Sequence, residues 1–300
     1  RYDARVKRIL AQKNILAHIL VKTVDEFKGM KPEDVVTYIE GEPKVGIVPV
    51  EPGLSNIEKT DATGQRIVGL NTENAEINEG LVRFDIIFYV RMKNGLSQII
   101  VNVEAQKDEP TEYKILNRAI FYVSRLVSSQ KERDFVNTNY DDIKQVFSIW
   151  ICMNPPKYRE NSINRYSITE EQLIGSCSER KENYDLLTAI MICLGDSDDE
   201  NASGILKLLE VLLSSDREVK EKKEILQNDF SIEMTKTLER EVSTMCNLSK
   251  GVEEKGIQKG ILLSIRNLME TMGWSVEQAM EGLKIPEEEK SKYLDELKKM

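Results

Sequence analysis

The chain has 300 residues, 40% hydrophobic and 31% charged, with a formal net charge of −9. That apolar content supports a sizeable buried core, and the mixed signs exclude bulk disorder. The acidic excess counts against a surface that is nucleic-acid platform throughout, but it leaves room for a local basic groove and suits a site that gathers divalent cations.

The first predicted element is an amphipathic helix over residues 4–28, with Val6, Ile9, Leu10, Leu16, Ala17, Leu20, Val24 and Phe27 on its stripe and Lys13 interrupting it. Gly29 and Pro32 end it. His18 lies in this helix and is the only histidine, which excludes chemistry needing two or three. No Gly-x-Ser-x-Gly elbow is present to build a hydrolase triad around it. Residues 29–65 read as an irregular insertion with small strands or turns, such as the run from Val45 to Val50.

Three strand candidates follow, over 66–70, 81–92 and 97–106, the last two joined by a Lys93-Asn94-Gly95 turn whose Asn and Gly tolerate positive φ. A helix is expected over 112–130, with Pro110 near its start. The nearly unbroken apolar run 146–153, stopped by Asn154-Pro155-Pro156, has the character of a strand buried on both faces. Helix, three strands, helix and buried strand make an α/β arrangement with a helical crossover.

Residues 184–195 and 205–214 read as helices, joined by an acidic loop beginning at Asp196 that is taken as a solvated connection. From Asp216 onward the sequence is strongly helical, which sets the expected division: a domain over 1–215, with its core at about 66–155, and a C-terminal helical region over 216–300. Gly251, Gly256 and Gly260 punctuate that region, and Ser275 with Gln278 forms a capping box. The expected role is packing or homo-oligomerisation, with contact to DNA as the alternative. The four cysteines, Cys152, Cys177, Cys193 and Cys246, form no Cys-x-x-Cys pair and are expected as buried thiols. With no apolar run near the ~20 residues of a membrane span and no secretory signal, a cytoplasmic protein without membrane association is expected.

Chemistry concentrates on two strands. Asp85 sits in Phe84-Asp85-Ile86-Ile87-Phe88, where an ionised carboxylate is costly unless paired or bound to a cation. Glu104 and Gln106 alternate onto one face of the next strand, which the hairpin sets beside Asp85. Two carboxylates so placed suit a divalent cation, Mg²⁺ or Mn²⁺, acting on a phosphodiester.

These residues, with Val68-Gly69-Leu70-Asn71-Thr72-Glu73, Asn117-Arg118-Ala119-Ile120-Phe121-Tyr122, Ser128-Ser129-Gln130, Tyr140-Asp141-Asp142-Ile143-Lys144 and Ser148-Ile149-Trp150-Ile151-Cys152, make the first half of the chain resemble the PD-(D/E)XK nuclease family transposases of bacteria, relatives of the recombination-promoting nucleases. The resemblance implies a restriction-endonuclease-like core, a mixed central sheet flanked by helices. It also implies Asp85 and Glu104 as metal ligands, Gln106 at the usual lysine position, and Arg118 and Tyr122 on a face that meets the phosphate or packs on the sheet. Phe84 stands where the family's proline would be, and the first-helix acidic residue has only weak candidates in Asp3 and Glu26. The function expected on this basis is metal-dependent DNA endonuclease activity tied to transposition or recombination. The alternative is a catalytically weak DNA-binding or assembly protein that keeps the fold.

Overall fold

The computed structural model describes residues 2–46, 59–60, 66–67, 73–76, 80–94, 98–131, 133–196, 204–214 and 217–298. It opens with α1 (Tyr2–Leu10), α2 (Lys13–Thr23), the one-turn α3 (Pro32–Val35) and β1 (Ile39–Val45). Short strands β2 (Lys59–Thr60), β3 (Arg66–Ile67), β4 (Glu73–Glu76) and β5 (Gly80–Arg83) precede β6 (Ile86–Arg91) and β7 (Gln98–Asp108). Then come α4 (Ile115–Ser128), β8 (Val146–Asn154), β9 (Ser162–Ser167), the short α5 (Lys181–Tyr184) and β10 (Leu187–Cys193). The remainder is helical: α6 (Ile205–Leu213), α7 (Val219–Phe230), α8 (Lys236–Met272), α9 (Val276–Gly282) and α10 (Glu287–Lys298).

The architecture is α/β. Six strands form one mixed sheet in the order β1-β6-β7-β8-β10-β9, and β2 with β3 and β4 with β5 make two small antiparallel ladders. β8 runs parallel to both β7 and β10, while the remaining pairs in the sheet are antiparallel. Parallel neighbours need a crossover, and the segment containing α4 supplies it between β7 and β8. Ile115, Ala119, Tyr122, Val123 and Leu126 repeat every three or four residues on α4 and are buried against a sheet face bearing Ile87, Ile100, Trp150 and Met191. The opposite face is as dry, with Val101, Val103, Ile149, Ile151 and Ile192 all inaccessible to solvent.

Several expectations change on contact with the structure. The helix expected over 4–28 is broken at Gln12, whose extended backbone (φ −70°, ψ 129°) separates α1 from α2. The break re-aims the helix at the point where Lys13 would carry charge into the stripe, so that Ile9 and Leu10 before it and Ile15 and Leu16 after it are all buried. The strand expected over 81–92 is two strands: the chain leaves the small β4–β5 ladder, bends at Phe84 and Asp85, and enters the main sheet as β6. The helix expected over 184–195 is mostly β10. Its Leu-Thr-Ala-Ile-Met-Ile-Cys run has no helical period, and pairing with β8 and β9 buries both faces.

Within the region read as an irregular insertion, β1 joins β6 as an edge strand. A register shift falls between Glu40 and Lys44, and Gly41 there has φ +56°. Most of the run from Val45 to Val50, Gly95 of the hairpin turn and the core of the acidic loop after Asp196 lie outside the described residues.

The chain divides into two compact units, Arg1–Ser243 and Thr244–Met300, later than the composition change near Asp216 that suggested the boundary. The second unit has its own core of Leu262, Ile265, Ala279, Met280, Ile285 and Tyr293. Its capping box forms as expected: Ser275 accepts from the Gln278 backbone N–H, and the Gln278 side chain accepts from that of Ser275. No helix among the described residues is long and apolar enough to cross a membrane.

Candidate active site

The bend before β6 and the later half of β7 bring Asp85 and Glu104 together. Ile86 pairs with Val103, so Asp85 falls beside Glu104 one step beyond the paired register. Glu104 Oε1 accepts the backbone N–H of Asp85 at 2.9 Å, and Asp85 Oδ2 accepts the backbone N–H of Ala105 at 3.0 Å. Each carboxylate therefore ties down the other's strand. Glu104 is only 3% exposed. Burial, then the negative charge of Asp85, push its carboxyl well above the usual range. Burial also raises Asp85, against the opposing pull of Lys7 and of the Ala105 N–H.

Lys7 comes from α1 and was not singled out from the sequence. Its Nζ lies 2.7 Å from Asp85 Oδ1 and 2.7 Å from Asp3 Oδ2. Burial opposes its charge, but Asp3 and Asp85 outweigh burial and hold its pKa above the ordinary lysine value. Of the two first-helix acidic candidates, Asp3 thus reaches the site through Lys7. Glu26 accepts a hydrogen bond from the Lys93 backbone N–H instead. Glu26 lines a cavity of about 850 Å³ with Met92, Gln98 and Lys144, toward the other end of the strands, away from the paired carboxylates.

Gln106 shares a face with Glu104 but does not join the pair. Its side-chain Nε2 donates to the Asp108 carbonyl at 2.7 Å. Asn102, two residues before Glu104, donates to Ser148 Oγ at 3.0 Å, which also accepts from Trp150 Nε1 at 2.9 Å. Asn102 Oδ1 is buried with no hydrogen-bond partner among the described residues.

Arg118 and Tyr122 stand one helical turn apart on α4, as the sequence predicted. Arg118 donates to the hydroxyls of Tyr122 at 2.8 Å and Tyr113 at 3.1 Å. Its guanidinium lies 4.9 Å from the Tyr122 ring centre and 5.4 Å from that of Trp150. Its positive charge also draws the Glu104 carboxyl downward, though less than burial raises it. Tyr122 itself packs edge-on to Trp150 and Phe84, so this pair both packs on the sheet and keeps a cation near Glu104. His18 is half-buried and edge-on to Phe230, away from these groups. Cys152 and Cys193 are buried register partners on β8 and β10, whereas Cys177 is exposed rather than buried.

Among the described residues no three or more His, Cys, Asp or Glu side chains cluster as a metal cage. The donor set at this site is two carboxylates. That set fits Mg²⁺ or Mn²⁺, which take hard oxygen donors and commonly use one or two protein carboxylates, completing their shell with water and phosphate. A cation would also offset the burial that raises both acids and the Asp85 charge that further raises Glu104. Compared with known proteins, the chain matches no family model, no curated protein and no solved structure.

Proposed function

We propose that this protein is a metal-dependent DNA endonuclease with a restriction-endonuclease-like core, acting in the cytoplasm in transposition or recombination. The observation that carries the reading is the reciprocal hydrogen bonding of Asp85 and Glu104 across neighbouring strands, which presents two carboxylates at one point. The resemblance to PD-(D/E)XK nuclease family transposases supports the same reading. Asp85 and Glu104 would hold Mg²⁺ or Mn²⁺, and the bound cation would act as a Lewis acid toward the phosphodiester.

The chain's own residues do the rest. The backbone N–H groups of Asp85 and Ala105 hold one oxygen of each carboxylate in place, and Lys7 pairs with the other oxygen of Asp85. Arg118, held by two tyrosine hydroxyls, adds positive charge on the Glu104 side. Gln106 can donate and accept hydrogen bonds but brings no charge. The role proposed for the C-terminal helical region is packing or homo-oligomer formation, with contact to DNA as the alternative.

The test is plasmid cleavage with Mg²⁺ or Mn²⁺ by the wild type beside Asp85→Ala and Glu104→Ala. Loss of nicking in both variants supports the proposal, and cleavage that survives both removes these residues from the mechanism. One observation favours the second reading, a weakly catalytic DNA-binding protein: the Gln106 amide is turned to the Asp108 carbonyl, away from the carboxylates. That reading requires salt-dependent DNA association without metal-dependent nicking.

A further inference from the structure

Asp3 and Asp85 flank Lys7 beside Glu104, and a phosphodiester would bring further negative charge. Arg118 gives two of its N–H groups to tyrosine hydroxyls and lies over two rings on α4, where it contacts neither carboxylate of the pair among the described residues. Among the described residues, Lys7 is the one cation in contact with a carboxylate of the pair.

An ammonium carries three N–H donors. Two of those on Lys7 go to Asp85 and Asp3, and the third has no partner among the described residues. The side chain is 14% exposed, and Asp85 and Asp3 take two of its three donor directions, leaving one for a further partner. A lysine needed only to dock α1 on the sheet would require one ion pair. This one is suspended between two acids beside the pair that would receive the cation.

We infer that Lys7 is the substrate-contacting cation of this site, donating its remaining N–H to a non-bridging oxygen of the scissile phosphate while Asp85 and Asp3 hold it in place. The inference rests on the nuclease reading and extends it to a residue on α1. An ordered ammonium of this kind neutralises charge that grows on the phosphoryl oxygens during displacement, and loses little by reorganisation because its anchors are already in place.

The experiment combines two readouts. Duplex DNA binding is measured in Ca²⁺ over a range of salt, and plasmid cleavage in Mn²⁺, for the wild type, Lys7→Gln, Lys7→Arg and Asp3→Asn. Calorimetric titration with Mn²⁺ alone tests the carboxylate pair. Lys7→Gln keeps a hydrogen bond to Asp85, so the helix stays docked. It should lower the slope of log affinity against log salt by about 0.9, the signature of one lost phosphate contact, and slow cleavage about 100-fold. Lys7→Arg should restore the slope. Asp3→Asn leaves the ammonium present but loosens one anchor, so it should keep the slope and raise KM, which gives a reading even if Lys7→Gln fails to fold.

An active wild type, with Lys7→Gln retaining both slope and cleavage or Asp3→Asn retaining KM, overturns the role of Lys7 and leaves the nuclease reading standing. A wild type that neither binds Mn²⁺ nor cleaves overturns the nuclease reading itself. With no scissile phosphate to contact, the inference about Lys7 falls with it.

Discussion

Glu104 accepts the backbone N–H of Asp85, and Asp85 accepts the backbone N–H of the residue after Glu104, so the two carboxylates are latched by each other's strands. The latch holds two acids together in a place where burial disfavours their charge. Stability and cation binding are therefore set against each other at these residues.

The first prediction follows from that opposition. Glu104 has a folded-state pKa raised above its ordinary value, so the folded protein holds a proton there that the unfolded chain has lost. Its contribution to stability is complete below the ordinary carboxylate range and fades as pH rises toward the raised value. Calorimetric unfolding in chelator should show the wild type losing stability as pH rises above the ordinary carboxylate range. Glu104→Gln keeps an acceptor for the Asp85 N–H and should flatten this limb. Added Mn²⁺ should raise the wild-type midpoint, more at pH 8 than at pH 5, and leave the variant unmoved. A variant stabilised by Mn²⁺ as much as the wild type would contradict this account.

A second prediction concerns Asp134, whose side chain is 3% exposed. It accepts from the Tyr89 hydroxyl at 2.6 Å and Arg133 Nε at 2.7 Å, with Lys144 Nζ 3.3 Å away. Burial alone would raise its pKa, but Arg133, Tyr89 and Lys144 outweigh burial and hold it below the ordinary value. A depressed carboxyl stabilises the fold above its unfolded pKa, and that gain is lost as pH falls through the folded one. Asp134→Asn should cost about 3 kcal/mol at pH 7. The gap in urea midpoint should persist down to about pH 4 and close below it.

A third prediction tests the joint between α4 and the strand that follows. The Gln130 side chain donates to the Lys144 carbonyl and accepts from the Lys144 N–H, each at 2.8 Å, in the manner of a β-bridge. Gln130 is wholly buried. Gln130→Ala leaves both backbone groups without partners and should cost about 2 kcal/mol in urea unfolding. Gln130→Glu can still accept but no longer donates, and should be no better. A loss below about 0.5 kcal/mol would mean that water replaces the amide.

Much of the site was legible because strand alternation is local. Glu104 and Gln106 share a face by a rule of two residues, and the hairpin brings Asp85 beside them. The α4 stripe was legible for a similar reason, since its period is 3.6 and its spacing is short. Lys7 was not legible, because what matters about it is a contact 78 positions away in sequence with Asp85. The one local hint was that Asp3 and Lys7 lie four apart, on one face of a helix.

The misreading of β10 has a different origin. Leu-Thr-Ala-Ile-Met-Ile-Cys is apolar on every side, and only its pairing with β8 and β9 decides between helix and strand. β9 went unnoticed because Ser-Ile-Asn-Arg-Tyr-Ser is an edge strand with mostly exposed side chains and little alternation to read. Gln106 shows that a shared face does not guarantee a shared partner, for its amide turns along its own strand.

The sheet's two outer strands, β1 and β9, are where a second chain could add to it. β6, β7, β8 and β10 are nearly continuous apolar sequence, the kind that stacks edge to edge when a rim is left open. At one rim, β1 is interrupted by its register shift, by Gly41 and by Pro43, which has no amide hydrogen to offer a neighbour. At the other, the Arg165 guanidinium folds β9 back onto Asp25 and the Thr23 carbonyl. The broken register of β1 and the Arg165 tie on β9 both work against edge-to-edge pairing with a second copy.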